Sequence, residues 1–256
     1  MADRKRVLVK EKLAPEGVEL LRQDFDVDLG MDWTDEEFMA RIKDYDGLMI
    51  RSATKVTADV IAAGARLSVI GRAGVGVDNV DLKAATKRGI IVVNAPTSNV
   101  LSAAEHTIGM LMACARNIPQ AHAALKAGRW ERSKFGGVEL MGKTLGIIGL
   151  GRIGSLVAER ARALKMNVLG YDPYVPAERF REMGLDRAES PERVYREADF
   201  ISVHLPKNKD TLGFVDDEAF TKMKDGVRII NVARGGIVDE EALARAIENG
   251  KVASAA

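Results

Sequence analysis

The sequence predicts an α/β protein in which parallel sheets are covered by helices. Short runs of β-branched residues alternate with helical periodicity along nearly the whole chain, a pattern typical of parallel sheets with helical crossovers. Aromatic residues make up only 5% of the 256 residues, and glycine occurs 24 times. This composition suits an α/β protein better than an aromatic-rich β-sandwich. A glycine-rich turn, "GLGRIG", joins a strand-like run to a helix-like run in the second half.

The first half of the chain contains five strand-like runs separated by helical stretches. The runs are residues 6–10, 25–29, 47–50, 67–71 and 90–94. A helix is expected to begin near Pro15, because proline is tolerated in a first turn. Thr34 and Glu37 have the spacing of a capping box. We expect the last three runs to be buried strands, and we expect this domain to end in the loop "NAPTSN", giving residues 1–97.

The second domain, residues 98–256, begins with two apolar helices that we expect to be interrupted at Pro119, since proline removes an amide donor. From Gly142 onward the runs "TLGIIG", "NVLGYD", "GLDRA", "DFISVHL" and "VRIINVA" predict five strands of a doubly wound sheet. A sixth strand would begin at Lys251, and we expect it to be cut off.

Charge and composition argue against several classes of partner. The formal net charge is +1, so no strong field favours nucleic acid or a membrane surface. The first residues lack the apolar core of a signal peptide, and no apolar run approaches the roughly 20 residues of a membrane span. Cys114 cannot form an internal disulfide and is expected to pack in a core. We therefore expect a soluble, cytoplasmic protein with no bound metal.

Gly149, Gly151 and Gly154 fit the pattern G-x-G-x-x-G between a predicted strand and a predicted helix. The first glycine permits a tight turn, the second permits close approach of a pyrophosphate, and the third permits close helix–strand packing. Asp172 ends the next strand, where a carboxylate would accept hydrogen bonds from ribose and repel a 2′-phosphate. The pattern predicts NAD rather than NADP. The alternatives are a purely structural turn and, for Asp172, a turn former before Pro173.

Arg234 is the best candidate for binding an acidic substrate. It directly follows the predicted strand "VRIINVA" and therefore lies at the carboxyl edge of the sheet, where open α/β folds bind ligands. A guanidinium can hold a carboxylate through two parallel hydrogen bonds. The alternative is a solvated surface arginine.

Several long segments together resemble the D-2-hydroxyacid dehydrogenases, and the resemblance covers the whole chain. The segments are "IRSATKVTADVI", "GRAGVGVDNVDLKAATKRGI", "NAPTSNVLSAAEHTIGML", "GIIGLGRIGSLVAERARAL" and "INVARGGIVDEEAL". The resemblance implies a flavodoxin-like substrate domain followed by a Rossmann NAD domain that lacks its last strands. It also implies an NAD-dependent oxidoreductase that acts on a small hydroxy acid, with Arg234 binding the substrate carboxylate.

The resemblance assigns further residues to each ligand. Those assigned to substrate are Arg51, Ser52, Arg72, Gly74, Val75 and Asn99. Those assigned to the cofactor, besides the three glycines, Asp172 and Arg234, are Arg152, Ile153, Leu205, Val232 and Ala233. The arginines suit a phosphorylated substrate, although a salt bridge within the first domain is the alternative for Arg51 and Arg72.

The helices around residues 100–128, with "GRWERSKF" after them, resemble the dimer region of the family. We therefore expect a homodimer or a higher homo-oligomer. Arg132 is expected to reach the substrate of the neighbouring subunit.

None of the three histidines is a convincing general base. His106 is expected to be packed or at an interface, His122 half exposed, and His204 structural or beside the cofactor. The histidine motif and glutamate that supply the base in the family are not in this sequence. We therefore expect a fragment that binds NAD with little turnover. Other readings are a related reductase of glyoxylate or hydroxypyruvate, and a non-catalytic NAD-sensing module that binds proteins.

Overall fold

The computed structural model describes residues 4–256. The chain forms two compact units, Met1–Asn99 and Val100–Ala256. Each unit contains one parallel sheet. The α/β class predicted from the sequence is confirmed.

The sheet of the first unit has five parallel strands in the order β2-β1-β3-β4-β5. This order is that of flavodoxin-like folds. The strands are β1 (Arg6–Val9), β2 (Asp26–Leu29), β3 (Gly47–Ile50), β4 (Val69–Arg72) and β5 (Ile91–Asn94).

Four α-helices connect the strands of the first unit. They are α1 (Pro15–Asp24), α2 (Asp35–Arg41), α3 (Ala58–Ala63) and α4 (Leu82–Lys87), and a short 3₁₀ helix spans Ile42–Asp44. The predicted capping box is present at the start of α2. The Glu37 amide donates to Thr34 Oγ1 at 3.2 Å, and the Thr34 amide donates to Glu37 Oε2 at 3.0 Å. These bonds satisfy two backbone donors that the helix itself cannot satisfy.

The expectation of a buried strand at residues 90–94 is wrong. Ile91 is 63% exposed and Val93 is 49% exposed. Strand β5 lies at the edge of the sheet and pairs only with β4. Its alternate residues point to opposite faces, and only Val92 packs against the core that contains Leu8 and Ile70.

The second unit begins with α5 (Val100–Arg116) and α6 (Ile118–Lys126). The break between them falls at Asn117, which has a φ of 52°, and not at Pro119 as predicted. Pro119 lies in the first turn of α6. The amides of a first turn have no acceptor within the helix, so proline costs no hydrogen bond there.

The sheet of the second unit has six parallel strands in the order β11-β10-β9-β6-β7-β8. They are β6 (Thr144–Ile148), β7 (Asn167–Tyr171), β8 (Asp186–Arg187), β9 (Phe200–Val203), β10 (Val227–Ile230) and β11 (Val252–Ala255). Read from the other edge, the order is that of the Rossmann fold, 3-2-1-4-5-6. The sixth strand, expected to begin at Lys251, is present, because four residues, Val252–Ala255, form β11 beside β10.

Five further helices cover both faces of this sheet. They are α7 (Arg152–Ala163), α8 (Ala177–Met183), α9 (Pro191–Glu197), α10 (Asp217–Lys222) and α11 (Glu240–Glu248), and a second 3₁₀ helix spans Arg132–Phe135. One core cluster includes Ile148, Phe220 and Ile229, and another includes Leu111, Ile147 and Val157. Cys114 is buried on α5, as expected. Within residues 4–256, no helix is both long enough and apolar enough to cross a membrane.

Candidate active site

The glycine turn of the second unit lies between β6 and α7. Gly149 has a φ of +95°, and a Cβ there would lie 2.8 Å from the carbonyl oxygen of His204. A Cβ on Gly154 would collide with the carbonyl oxygen of Gly149. These two positions therefore require glycine for backbone conformation and for close packing of helix on strand.

Gly151 differs from its two neighbours because a Cβ there would meet no atom within 4 Å. It is the N-cap residue of α7, and its open side is therefore at the positive end of the helix dipole. A side chain at this position would fill the space through which a diphosphate must approach the backbone. The turn therefore fits a dinucleotide.

Asp172 directly follows β7 and holds the glycine turn. Its Oδ2 accepts a hydrogen bond from the Leu150 amide at 2.8 Å, and its Oδ1 accepts one from the Tyr174 amide at 2.9 Å. Each carboxylate oxygen has about two acceptor positions, so both can also accept from ribose hydroxyls. The negative charge would repel a 2′-phosphate. This arrangement fits NAD.

His204 lies beyond β9, next to the glycine turn. Its Nε2 is 2.9 Å from Ser202 Oγ, and Ser202 is fully buried. Burial lowers the pKa of His204 to about 4. A ring with such a low proton affinity is a weak general base near pH 7, which favours the structural reading. Leu205, the next residue, is half-buried and packs against the core.

The other two histidines lie on the helices that precede the sheet. His106 was expected to be packed or at an interface. It is exposed on α5 and does not pack in a core of this chain, and its place at an interface stays a prediction. His122 is exposed on α6. Both residues lie on the solvent-facing side of their helices, whereas Thr107 on α5 and Ala124 on α6 are buried.

Asn231 fixes the segment that carries Val232, Ala233 and Arg234. Its Oδ1 accepts from the Ala233 amide at 3.1 Å and from the Arg234 amide at 3.3 Å, and its Nδ2 donates to the Arg234 carbonyl at 2.8 Å. Arg234 is half-buried, and its Nη1 donates to the Ala233 carbonyl at 2.8 Å. Sequence reasoning missed Asn231. An asparagine directly after a strand is the signal that could have identified this turn.

The predicted substrate residues of the first unit follow β3 and β4. Arg51 and Ser52 are exposed directly after β3, and Arg72 ends β4 as the ladder partner of Ile50. The Arg72 guanidinium lies against Gly74, so a Cβ on Gly74 would collide with Arg72 Nη1. The sheet therefore places the two arginines on neighbouring strand ends.

Neither arginine forms the salt bridge that was the alternative reading. Within residues 4–256, no carboxylate pairs with the guanidinium of Arg51 or Arg72. Arg72 Nε is buried without a hydrogen-bond partner in the same residues. A buried cationic donor without a hydrogen-bond partner is costly.

Val75 and Asn99 complete the predicted substrate set. The Val75 carbonyl accepts from Asn94 Nδ2 at 2.6 Å, which ties the segment after β4 to the end of β5. Asn99 is exposed and is the last residue of the first unit. Among the described residues, no group of three or more His, Cys, Asp or Glu side chains could hold a metal ion.

A Rossmann sheet with a glycine turn and an acid after its second strand defines a dinucleotide-binding domain of the dehydrogenase type. Residues 108–256 match the family model described as "D-isomer specific 2-hydroxyacid dehydrogenase, NAD binding domain". The chain belongs to the D-isomer specific 2-hydroxyacid dehydrogenase family, and its cofactor is NAD.

Curated relatives are longer than this chain. A D-3-phosphoglycerate dehydrogenase of Arabidopsis thaliana, a chloroplastic protein, is 53% identical over 98% of the chain, which covers 40% of that protein. The D-3-phosphoglycerate dehydrogenase of Archaeoglobus fulgidus is 50% identical over 98% of the chain, which covers 48% of that protein. The chain thus spans about half the length of these relatives or less.

Solved structures show the same fold. D-lactate dehydrogenase from Aquifex aeolicus, complexed with NAD and lactic acid, is 31% identical with a TM-score of 0.86. The alignment covers 98% of this chain and 75% of that one. The TT0316 protein from Thermus thermophilus is 33% identical, also with a TM-score of 0.86, over 98% and 80% of the two chains.

Replacing Gly151 with alanine should weaken NAD binding without unfolding the protein. The new methyl group meets no protein atom but enters the path of the diphosphate. We expect the Kd for NAD, measured by titration calorimetry, to rise at least about tenfold, or ~1.4 kcal/mol. Gly109→Ala is the matched control, since its Cβ also enters open space, on α5. Unchanged affinity in Gly151→Ala would show that the turn does not hold the diphosphate.

His204 should make the second unit less stable in acid. The folded protein keeps the ring neutral down to about pH 4, whereas the ordinary pKa is 6.5. The unfolded state therefore takes up the proton first. Stability from this group is complete above pH 6.5 and is lost as the pH falls toward 4, by about 3 kcal/mol in total.

The variant His204→Gln should lack this part of the pH dependence. Native-state hydrogen exchange of the β9 amides at pH values from 4 to 7 measures it. His122→Gln, which removes an exposed histidine, should behave like the wild-type protein. A pH profile that is the same in His204→Gln and in wild type would contradict the prediction.

Proposed function

We propose that the protein oxidises 3-phospho-D-glycerate at C2 to 3-phosphohydroxypyruvate, with NAD as the hydride acceptor, in the biosynthesis of serine. The substrate loses a hydride from C2 and a proton from its hydroxyl group, and the products are a 2-keto acid, NADH and a proton. The relatives that carry the name D-3-phosphoglycerate dehydrogenase are about 50% identical to this chain. This identity, together with the fixed Arg234 segment, carries the proposal.

Arg234 would bind the substrate carboxylate and the oxygen at C2. Asn231 forms two hydrogen bonds with the backbone of Arg234 and one with the Ala233 amide, so the Arg234 side chain starts from a defined position. A guanidinium that is positioned before the substrate arrives stabilises developing negative charge without a cost of reorganisation. Bound NAD supplies the acceptor for the hydride.

Arg51 and Arg72 would bind the phosphate group. They lie at neighbouring strand ends, and no carboxylate of residues 4–256 neutralises them. A phosphate dianion satisfies two cationic donors better than an uncharged hydroxymethyl group does. We accordingly assign residues 1–97 to substrate binding and residues 98–256 to NAD binding. A cytoplasmic location stays a prediction.

The three histidines of this chain do not suit the role of proton acceptor. His204 has too low a pKa, and His106 and His122 are exposed on α5 and α6. We propose that the 256-residue chain binds NAD but oxidises substrate slowly. Loss of a general base typically lowers the rate on the order of 10²–10⁴-fold.

A comparison of two lengths of the protein tests the last point. Hydride transfer is measured by NADH absorbance for the 256-residue chain and for a form as long as the curated relatives. We expect similar Kd values for NAD and a turnover that is about 10²–10⁴-fold lower in the shorter chain. Equal turnover would show that the shorter chain contains the base.

Substrate preference tests the role of the arginines and of the phosphate. In the longer form, we expect kcat/KM for 3-phospho-D-glycerate to exceed that for D-glycerate by at least about tenfold, since charged hydrogen bonds contribute about 1.5–3 kcal/mol. Arg51→Gln should reduce this preference. Arg22→Gln, an exposed arginine paired with Glu19, should not. A preference for glyoxylate or unphosphorylated hydroxypyruvate would favour a related reductase, and tight NAD binding with no turnover would favour an NAD-sensing module.

We also propose that the protein is a homodimer. The segment from Ile118 to Met141 exposes four large apolar side chains, namely Ile118, Leu125, Trp130 and Met141. Trp130 is 80% exposed. Exposed apolar side chains in such number mark interaction surfaces. Arg132 lies exposed in this segment, and its reach to the substrate of a second subunit stays a prediction.

Trp130→Ser should weaken the dimer. A tryptophan side chain at an interface centre contributes about 2 kcal/mol or more, and a homodimer would lose two of them, so the dimer dissociation constant should rise at least roughly 30-fold. Sedimentation equilibrium measures it. Tyr174→Ser removes another highly exposed aromatic ring, outside the segment, and should leave the constant unchanged. Identical constants for wild type and Trp130→Ser would place the interface elsewhere.

A further inference from the structure

Glu11 binds the segment that follows β3. Its Oε1 accepts hydrogen bonds from the Arg51 and Thr54 amides, both at 2.9 Å, and its Oε2 accepts one from the Ala53 amide at 3.1 Å. Glu11 follows the end of β1, and β1 pairs directly with β3. The Lys10 amide extends this pairing to the Met49 carbonyl at 2.9 Å. The register of the sheet therefore carries the Glu11 carboxylate to residues 51–54.

Asn79 holds the same segment through its carbonyl groups. Its Nδ2 donates to the Arg51 carbonyl at 2.8 Å and to the Thr54 carbonyl at 2.7 Å. Residues 51–54 belong to no strand or helix. Their backbone groups are thus fixed by two side chains from distant parts of the first unit, and not by a ladder or a helix.

The charge on Glu11 is stable in this position. Partial burial raises the pKa of the carboxyl group, but the hydrogen bonds from Thr54, Arg51 and Ala53 lower it by more, and the pKa lies below its ordinary value. A carboxylate that accepts several amide hydrogen bonds is held in its ionised form. The amides of residues 51, 53 and 54 are therefore occupied by an internal anion at neutral pH.

Because Glu11 binds three of the four amides in residues 51–54, few groups of this segment can still form hydrogen bonds with a ligand. Ser52 is the one residue of the four whose amide does not bind Glu11, and it forms no hydrogen bond within residues 4–256. Ser52 and Arg51 are both exposed. A bound anion would therefore meet the Ser52 amide and hydroxyl and the Arg51 guanidinium, and not the occupied amides.

We propose that Glu11 is a positioning residue for substrate binding, which fixes residues 51–54 so that Arg51 and Ser52 face the anionic group of the substrate. The role rests on the proposed function of Arg51 in binding a phosphorylated 2-hydroxy acid. The glycine turn and Asp172, to which NAD is assigned, belong to the other unit.

Three variants of the full-length protein test the proposal. Glu11→Gln places an amide donor among backbone donors, Glu11→Asp keeps the charge on a shorter side chain, and Glu16→Gln is the control on the exposed start of α1. For Glu11→Gln, we expect the KM for 3-phospho-D-glycerate to rise at least tenfold, with kcat within about threefold and the Kd for NAD unchanged. Glu11→Asp should recover part of the loss, and Glu16→Gln should equal wild type.

Amide hydrogen exchange gives a second measurement that does not need activity. Exchange at Arg51, Ala53 and Thr54 should be faster in Glu11→Gln than in wild type, while β1 and β3 amides keep their protection. Unchanged exchange, faster exchange with an unchanged KM, or loss of protection throughout the first unit would each overturn the proposal. If wild type oxidises a different 2-hydroxy acid, the proposed function is wrong, and the same variants are compared with that acid.

Discussion

All of the candidate ligand residues that lie in loops depend on one constraint, which is that parallel strands have their carboxyl ends at the same edge of a sheet. In the second unit, β6 lies between β7 and β9, so the strand order reverses at β6 and the connections on its two sides run in opposite directions. A crevice forms at the carboxyl edge of the sheet at such a point. The glycine turn occupies it. The carbonyl of His204, at the end of β9, is so near that Gly149 could not carry a side chain.

The loops at these edges are held by single polar side chains. Asp172 binds the Leu150 amide, Asn231 binds the backbone of residues 233–234, and Glu11 binds residues 51–54. Loop backbone groups lack the partners that ladders supply, so a side-chain carboxylate or amide takes their place. Loops fixed in this way lose less conformational entropy when a ligand binds. In both sheets, therefore, a polar side chain fixes the backbone of a loop that carries candidate ligand residues.

Local sequence patterns predicted much of the fold and part of the site. The α/β class, the capping box of Thr34 and Glu37, and the glycine turn each depend on residues only a few positions apart. The errors arose where the partner was distant. The burial of β5 depends on whether a further strand lies beyond it in the sheet. The position of Pro119 within α6 depends on where the preceding helix ends.

The sequence by itself therefore determined the two α/β sheets and the glycine turn with its acid, because strand and helix periods and glycine conformations are properties of short segments. The family resemblance added the arginines that follow strands. Only the tertiary structure decided how these segments are fixed. Glu11 accepts a hydrogen bond from the Arg51 amide, which lies 40 positions away in the sequence, and Asp172 accepts one from the Leu150 amide, 22 positions away. Such contacts follow from sheet register, which brings distant residues to one edge and which no local pattern records.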